Sequence, residues 1–235
     1  MAYLSEIHLN PLRTYTQRLV SSPQRLHAAI MGAFPRQPAD GRVLWRLEQR
    51  NHRYDLLVLS PDSPSWVHLI EEAGWPGADG GEARIADYAP VLSCLMVGRQ
   101  FAFRVTANPV ENRPMPLHPT TNQTARAESP DRKRSLRLGQ RTAEHQLEWF
   151  LKRCSDGAGQ WGFTVGSRTE PSVALVGRQM LQFNRRREEP PVTLNTATFQ
   201  GHLTVTDVDL MRQSLVAGIG SGKAYGCGLL TLARP

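Results

Sequence analysis

Gly218-Ile219-Gly220-Ser221-Gly222-Lys223-Ala224-Tyr225-Gly226-Cys227-Gly228-Leu229-Leu230 is the stretch on which the reading of this chain turns. Five glycines fall within residues 218–228, with Lys223 near the centre. Glycine reaches positive φ and lets another backbone come close, so the run reads as a bent loop poor in side chains. Its N–H groups can face an anion. Met211–Ala217 before it reads as the end of a helix, and Leu229 to Ala233 after it as a last strand. A helix C-cap with a tight turn accounts for one or two of these glycines, but not five. Two nucleotide motifs fail on it. The phosphate-binding loop needs a glycine at position 217 and a hydroxyl at 224, where the chain has Ala217 and Ala224. The dinucleotide fingerprint needs a glycine at position 223, which is Lys223. Both also need a strand before the loop and a helix after it, the reverse of the order here. No nucleotide cofactor is expected.

Outward from the loop, composition sets bounds. The chain has 235 residues, enough for one large domain or two of about 100. Lys and Arg number 28 against 21 Asp and Glu, a net charge of +7. A basic balance of this kind is the electrostatic footprint of a nucleic-acid binder, although many soluble proteins share it. The three cysteines, Cys94, Cys154 and Cys227, are far apart and form no C-x-x-C. That argues against a disulfide framework or a zinc site and suits a reducing compartment. No apolar run is long enough to span a membrane, and the N-terminus has no signal-peptide pattern. A cytoplasmic protein is expected, with no membrane partner.

The rest of the chain alternates between strand and helix periods. Tyr3 to Leu9 reads as a strand, and Thr14–Phe34 contains a helix whose clear part begins after Ser22, with Ser22 as N-cap and Pro23 at the first helical position. Arg42 to Glu48 and Tyr54 to Leu59 make a hairpin. Trp66 to Glu72 starts a helix, and Gln100 to Ala107 alternates as a further strand. This β-α-β-β-α-β order over residues 1–108 is ferredoxin-like. An antiparallel sheet with helices on one face leaves the other face free, but the aromatic signature of a base-stacking sheet is missing. Residues 109–139, with Pro109, Pro114, Pro116, Pro119 and Pro130, read as a linker or loop. It ends in the basic cluster Arg132, Lys133, Arg134 and Arg137, either a solvated tail or a contact for a phosphate backbone. Residues 140–235 read as a helix capped by Thr142, strands at Trp161–Val165, Ser172–Phe183 and Val192–Val205, a helix capped by Asp207, and the last strand. The fold class is therefore α+β, with two tandem ferredoxin-like units, each an antiparallel sheet with helices on one face. Arg185, Arg186 and Arg187 follow Phe183-Asn184. They form either a solvated hairpin end or a phosphate contact, for which the arginine fork is well shaped.

Candidate chemistry is sparse. Seven histidines are present, and no Cys/His spacing or acidic cluster matches a metal site. Nucleic-acid cleavage by such a chain falls to general acid–base work by histidine, which suits RNA because the 2′-OH is a built-in nucleophile.

Five segments, in order, resemble the CasE family, the CRISPR repeat endoribonucleases of the type I-E Cascade complex. Tyr3-Leu4-Ser5-Glu6 resembles the family's first strand. Gln24-Arg25-Leu26-His27 lies where members carry a histidine early in the first helix. Trp45-Arg46-Leu47-Glu48 resembles its second strand. Phe103 to Pro109 is similar to its F-R-x-x-A-N-P, and Ala143 to Phe150 to its A-E-x-x-x-W-L helix. The glycine loop closes the match. The resemblance implies two tandem RRM-like domains that bind the stem-loop of the CRISPR repeat in precursor RNA and cut at the 3′ base of the stem. It implies 2′-OH attack without a metal, leaving a 5′-OH and a cyclic phosphate, and an enzyme that stays on its product with the other Cascade subunits. His27 is then the proton-transfer residue, as base or as acid. Gln24 stands where some members have tyrosine, so the helper is Gln24 or another group: Tyr15, Lys223 or Tyr225. Gly218, Gly220, Gly222, Lys223, Gly226 and Gly228, Arg185 to Arg187, Arg132, Lys133, Arg134 and Arg137 become RNA-binding candidates. The alternative is a scaffold that holds the stem-loop without cutting; Gln24 keeps it open and His27 argues against it.

Overall fold

The computed structural model of the chain describes residues 2–36, 38, 41–113, 118, 136–154, 159–167, 169–184 and 191–235. The first unit contains β1 (Tyr3–Leu9), α1 (Thr14–Val20), α2 (Pro23–Met31), β2 (Leu44–Gln49), β3 (Tyr54–Ser60), α3 (Val67–Ala73), β4 (Arg84–Asp87) and α4 (Ala89–Ser93). Its sheet runs β2-β3-β1-β4 with every pair antiparallel. The segment from Thr14 forms two helices, broken ahead of Pro23, which has no N–H to continue α1. Ser22 occupies the N-cap position of α2, but its side chain makes no capping hydrogen bond.

The second unit contains β5 (Gln100–Ala107), β6 (Val110–Arg113), β7 (Leu136–Gly139), α5 (Ala143–Cys154), β8 (Phe163–Thr164), β9 (Val173–Phe183), β10 (Val192–Val205), α6 (Val208–Ala217) and β11 (Thr231–Ala233). Its sheet runs β11-β5-β10-β8, with β9 also paired to β10. Both orders are the ferredoxin-like arrangement, so the fold class agrees with the sequence. The boundary does not. β5, expected to complete the first unit within residues 1–108, pairs with β10 and β11 and is the first strand of the second. Alternation marks β5 as a strand but carries no information about its partner. The true fourth strand of the first sheet, β4, is short and exposed along its length, so it has no apolar pattern to read. Residues 109–139 accordingly fall within the second unit, where Val110–Arg113 and Leu136–Gly139 pair as the β6–β7 ladder.

Two cores form. One face of the first sheet (Ile7, Leu9, Leu56, Val58) packs on helix residues Leu19, Leu26, Ile30 and Leu69. The other core is built on aromatic residues of the second unit, with Phe150 stacked on Phe199 at 4.3 Å. Leu44 and Leu59 of the first sheet belong to this second core. Part of the helix-free face of the first sheet, around Leu44 and Leu59, is therefore covered by the second unit. Arg46 pins this contact. Its buried guanidinium donates to the carbonyls of Arg104 and Leu229, to Thr231 Oγ1 and to Glu48 Oε1, at 2.8–3.0 Å. Asp207 caps α6 as expected, accepting from the N–H groups of Asp209 and Leu210 at 2.9 Å. Thr142 Oγ1 accepts from the His145 N–H at 3.2 Å.

Candidate active site

All five glycines of the loop at 218–228 have positive φ, from 68° to 92°. Close packing explains two of them directly. A Cβ at Gly226 would lie 2.8 Å from the Trp45 ring, and one at Gly218 would lie 2.7 Å from a Leu44 methyl. The loop thus presses on β2, and its 3₁₀ turn, Lys223–Tyr225, packs against both β2 and α2. Several of its amides already have backbone partners: Ile219 N–H on Gly228 O and Tyr225 N–H on Gly222 O within the loop, and Gly228 N–H on Thr106 O of β5. Ser221 bridges to Asn108, the asparagine that follows β5. The Trp149 indole N–H donates to the Val110 carbonyl. The motifs along the chain therefore meet in space, around the loop.

α2 brings His27 to this junction. Leu26 and Ile30 face the core, which turns His27 to the side. The ring is half-buried, and its Nδ1 is buried without a hydrogen-bond partner. Burial pushes its pKa below the ordinary 6.5, favouring the neutral imidazole. His27 lines a cavity of about 200 Å³ together with Met31, Arg42, Val43 and Ala224. Arg42 is the residue sequence reasoning missed. It is exposed, and it adds to burial, the larger cause, in depressing the pKa of the nearby Lys223 amine. Nothing in the spacing singles out Arg42, because it stands at the polar start of the expected Arg42–Glu48 strand, two residues ahead of the observed β2.

The proposed helpers separate. Gln24 lies three residues before His27 on α2, a same-face spacing. Tyr15 lines a different groove, between α1 and α2, with Arg18, Arg25 and Ala28. The Lys223 Nζ donates to the Ala217 carbonyl at 2.7 Å, closing the loop onto the end of α6. Tyr225 packs on Phe183 at 4.7 Å and lines a larger cavity of about 330 Å³ between the units, with Trp45, Gln179 and Thr196. Arg185, Arg186 and Arg187 lie outside the described residues, beyond Phe183. Arg132, Lys133 and Arg134 are outside them too, and Arg137 is described only as a β7 backbone position paired with Asn112.

The profile of a family described as "CRISPR associated protein" matches residues 2–234. This chain belongs to that family. The CRISPR-associated endoribonuclease Cse3 of Thermus thermophilus is 26% identical over 239 residues, covering 98% of this chain and 99% of its own. The Cascade subunit CasE of Escherichia coli K12 is 23% identical, covering 89% and 90%. Among solved structures, Cse3 bound to a 19-nucleotide RNA superposes with a TM-score of 0.70 at 24% identity, over 99% of both chains. Cas6e of E. coli superposes with a TM-score of 0.64 at 21% identity, over 99% of this chain and all of its own. The CasE grouping drawn from the motifs thus holds along the whole chain.

Proposed function

We propose that this protein is an endoribonuclease that binds the stem-loop of the CRISPR repeat in precursor RNA and cuts at the 3′ base of the stem. It needs no metal for the reaction and stays on the mature guide RNA as a Cascade subunit, in the cytoplasm. The observation that carries the reading is His27: a half-buried, neutral imidazole in a cavity against the glycine loop, on a chain similar along its length to the CRISPR-associated endoribonuclease Cse3. No helix among the described residues is long and apolar enough to cross a membrane.

The reaction follows from the groups present. Neutral His27 takes the proton of the 2′-OH as general base. The 2′-oxygen attacks the adjacent phosphorus, the bond to the 5′-oxygen breaks, and the products are a 2′,3′-cyclic phosphate and a 5′-OH that takes its proton from water, which leaves the His27 imidazolium to return its own proton to solvent. Arg42, in the same cavity, places a cation where charge develops on the phosphate oxygens. Lys223 shapes the loop by holding the end of α6, and Gln24 offers an amide to the phosphate from the face that carries His27. The basic segments at 132–137 and 185–187 hold the stem by its phosphates, as suits A-form RNA, whose deep major groove hides the base edges.

The test is cleavage of a matching repeat hairpin in excess EDTA, with the scissile nucleotide as ribose or 2′-deoxyribose. Wild type cuts only the ribose substrate. His27→Ala binds the hairpin and does not cut it. Tight binding with no cutting by wild type would return the chain to the scaffold reading. Cutting that survives His27→Ala would keep the activity and remove the residue.

A further inference from the structure

Sequence spacing shows no metal site, but the fold brings together three groups that the RNA chemistry does not use. Glu6 and His8 are two apart on β1, so they stand on one face of the strand. Asp55 of β3 is the register partner of His8. Glu6 Oε1, His8 Nε2 and Asp55 Oδ1 all lie within 4.8 Å of one another. The His8 side chain is only 8% exposed. Its Nδ1 donates to the Gly80 carbonyl at 3.3 Å, since a carbonyl can only accept. Nε2 is thereby aimed at the two carboxylates, buried and without a hydrogen-bond partner.

The separations decide what belongs there. Nε2 is 3.6 Å from Glu6 Oε1 and 3.8 Å from Asp55 Oδ1. Hydrogen bonds would bring these atoms to about 2.7–3.2 Å. A bridging water, with contacts of about 2.8 Å at a tetrahedral angle, would hold them about 4.6 Å apart. Two metal bonds of about 2.1 Å meeting near the tetrahedral angle span about 3.4 Å, nearest to what is observed.

The geometry points to a divalent transition-metal site, of the zinc class, formed by Glu6, His8 and Asp55, which clamps β1 to β3 beneath the Gly80 loop. An imidazole with two carboxylates selects zinc-like ions over magnesium or calcium, and three protein ligands leave a fourth position for water. Glu6, 31% exposed, provides the way in. Three guanidinium groups compete for the same carboxylates: Arg53 Nε at 2.6 Å from Asp55 Oδ1, Arg50 Nε at 3.1 Å from Asp55 Oδ2, and Arg84 Nη1 at 3.6 Å from Glu6 Oε2. All three side chains are at least 45% exposed and can turn to water as the ion enters. The site lies on the face of the first sheet away from α2, because Ile7 and Leu9, at alternate positions, face the core that α2 covers. Its role is structural and separate from His27.

The test uses the untagged full-length protein, stripped with EDTA and dialysed, titrated calorimetrically with zinc chloride and spectroscopically with cobalt(II) chloride. Wild type takes up one ion per chain, shows cobalt ligand-field bands, and melts at a higher temperature with zinc than without. His8→Gln loses affinity by more than the roughly 10–100-fold that removal of an outer-shell partner costs. Glu6→Gln, a change on the partly exposed rim, weakens binding in a protein that still folds. Arg53→Ala tightens it by freeing Asp55 Oδ1. No uptake by wild type overturns the proposal. So do uptake and a cobalt spectrum unchanged in both His8→Gln and Glu6→Gln. Repeat cleavage persists in EDTA under either outcome, so the result stands apart from the His27 reading.

Discussion

Arg46 and His27 show what single side chains contribute. The Arg46 guanidinium is 3% exposed and satisfies two carbonyls, a hydroxyl and a carboxylate across the two units. Arg46→Ala orphans the Leu229 carbonyl and removes one of the cations on Glu48, although Arg50 and Arg104 still reach that carboxylate. The expected loss is about 3 kcal/mol, the low end for a broken buried pair, read as a fall in the urea midpoint. Arg46→Lys recovers little, because a single ammonium cannot span the fork of acceptors. His27 sets a pH dependence. Its folded pKa lies below 6.5, so the neutral base persists through neutrality. The single-turnover cleavage rate is flat near pH 7 and falls only below about 6.5. A rate that instead falls as pH rises through neutrality would make His27 the general acid. The same shift acts on stability. The unfolded chain takes up the proton first, so stability is lost as pH drops from about 6.5 towards the folded pKa, and is unaffected above it. His27→Ala should lose less stability than wild type over that window, compared by urea melts.

At the scale of elements, the glycine loop is a packing device before it is anything else. Gly226 sits at φ 81° with its missing Cβ against the Trp45 ring. Gly226→Ala costs about 1–2 kcal/mol for the left-handed backbone alone, and more for the clash. Because the adjoining 3₁₀ turn packs on α2, the substitution is expected to lower cleavage more than hairpin binding, measured side by side. The motif Phe103 to Pro109 acquires its reason at this scale as well. β5 supplies Phe103 and Val105 to the second core, and Asn108 then holds Ser221 of the loop.

At the scale of the whole molecule, charge governs. The chain carries +7, with basic clusters in its sequence at 132–137 and 185–187. If each arginine of the second cluster meets one phosphate, the triple change of Arg185, Arg186 and Arg187 to Ala should reduce the slope of log affinity against log salt by about 3. An unchanged slope in filter-binding titrations from low to moderate salt would release that cluster from the interface.

The sequence alone determined the α+β class, most strands and helices, and the glycine loop as the organising feature, because these are local: alternation, helical spacing, caps and turns each depend on a few neighbours. The five motifs that resemble the CasE family were equally local, and they placed His27 in the helix that begins after Ser22. Only the tertiary structure decided which sheet β5 joins, since a strand's pattern names its buried face and not its partner. It alone covered part of the helix-free face of the first sheet, through Arg46 and the partners that Arg104, Leu229 and Thr231 supply from the second unit. It also put Tyr15 and Tyr225 in the linings of other cavities and Arg42 in that of His27. Convergence of distant side chains depends on how elements pack, and no residue spacing along the chain records that.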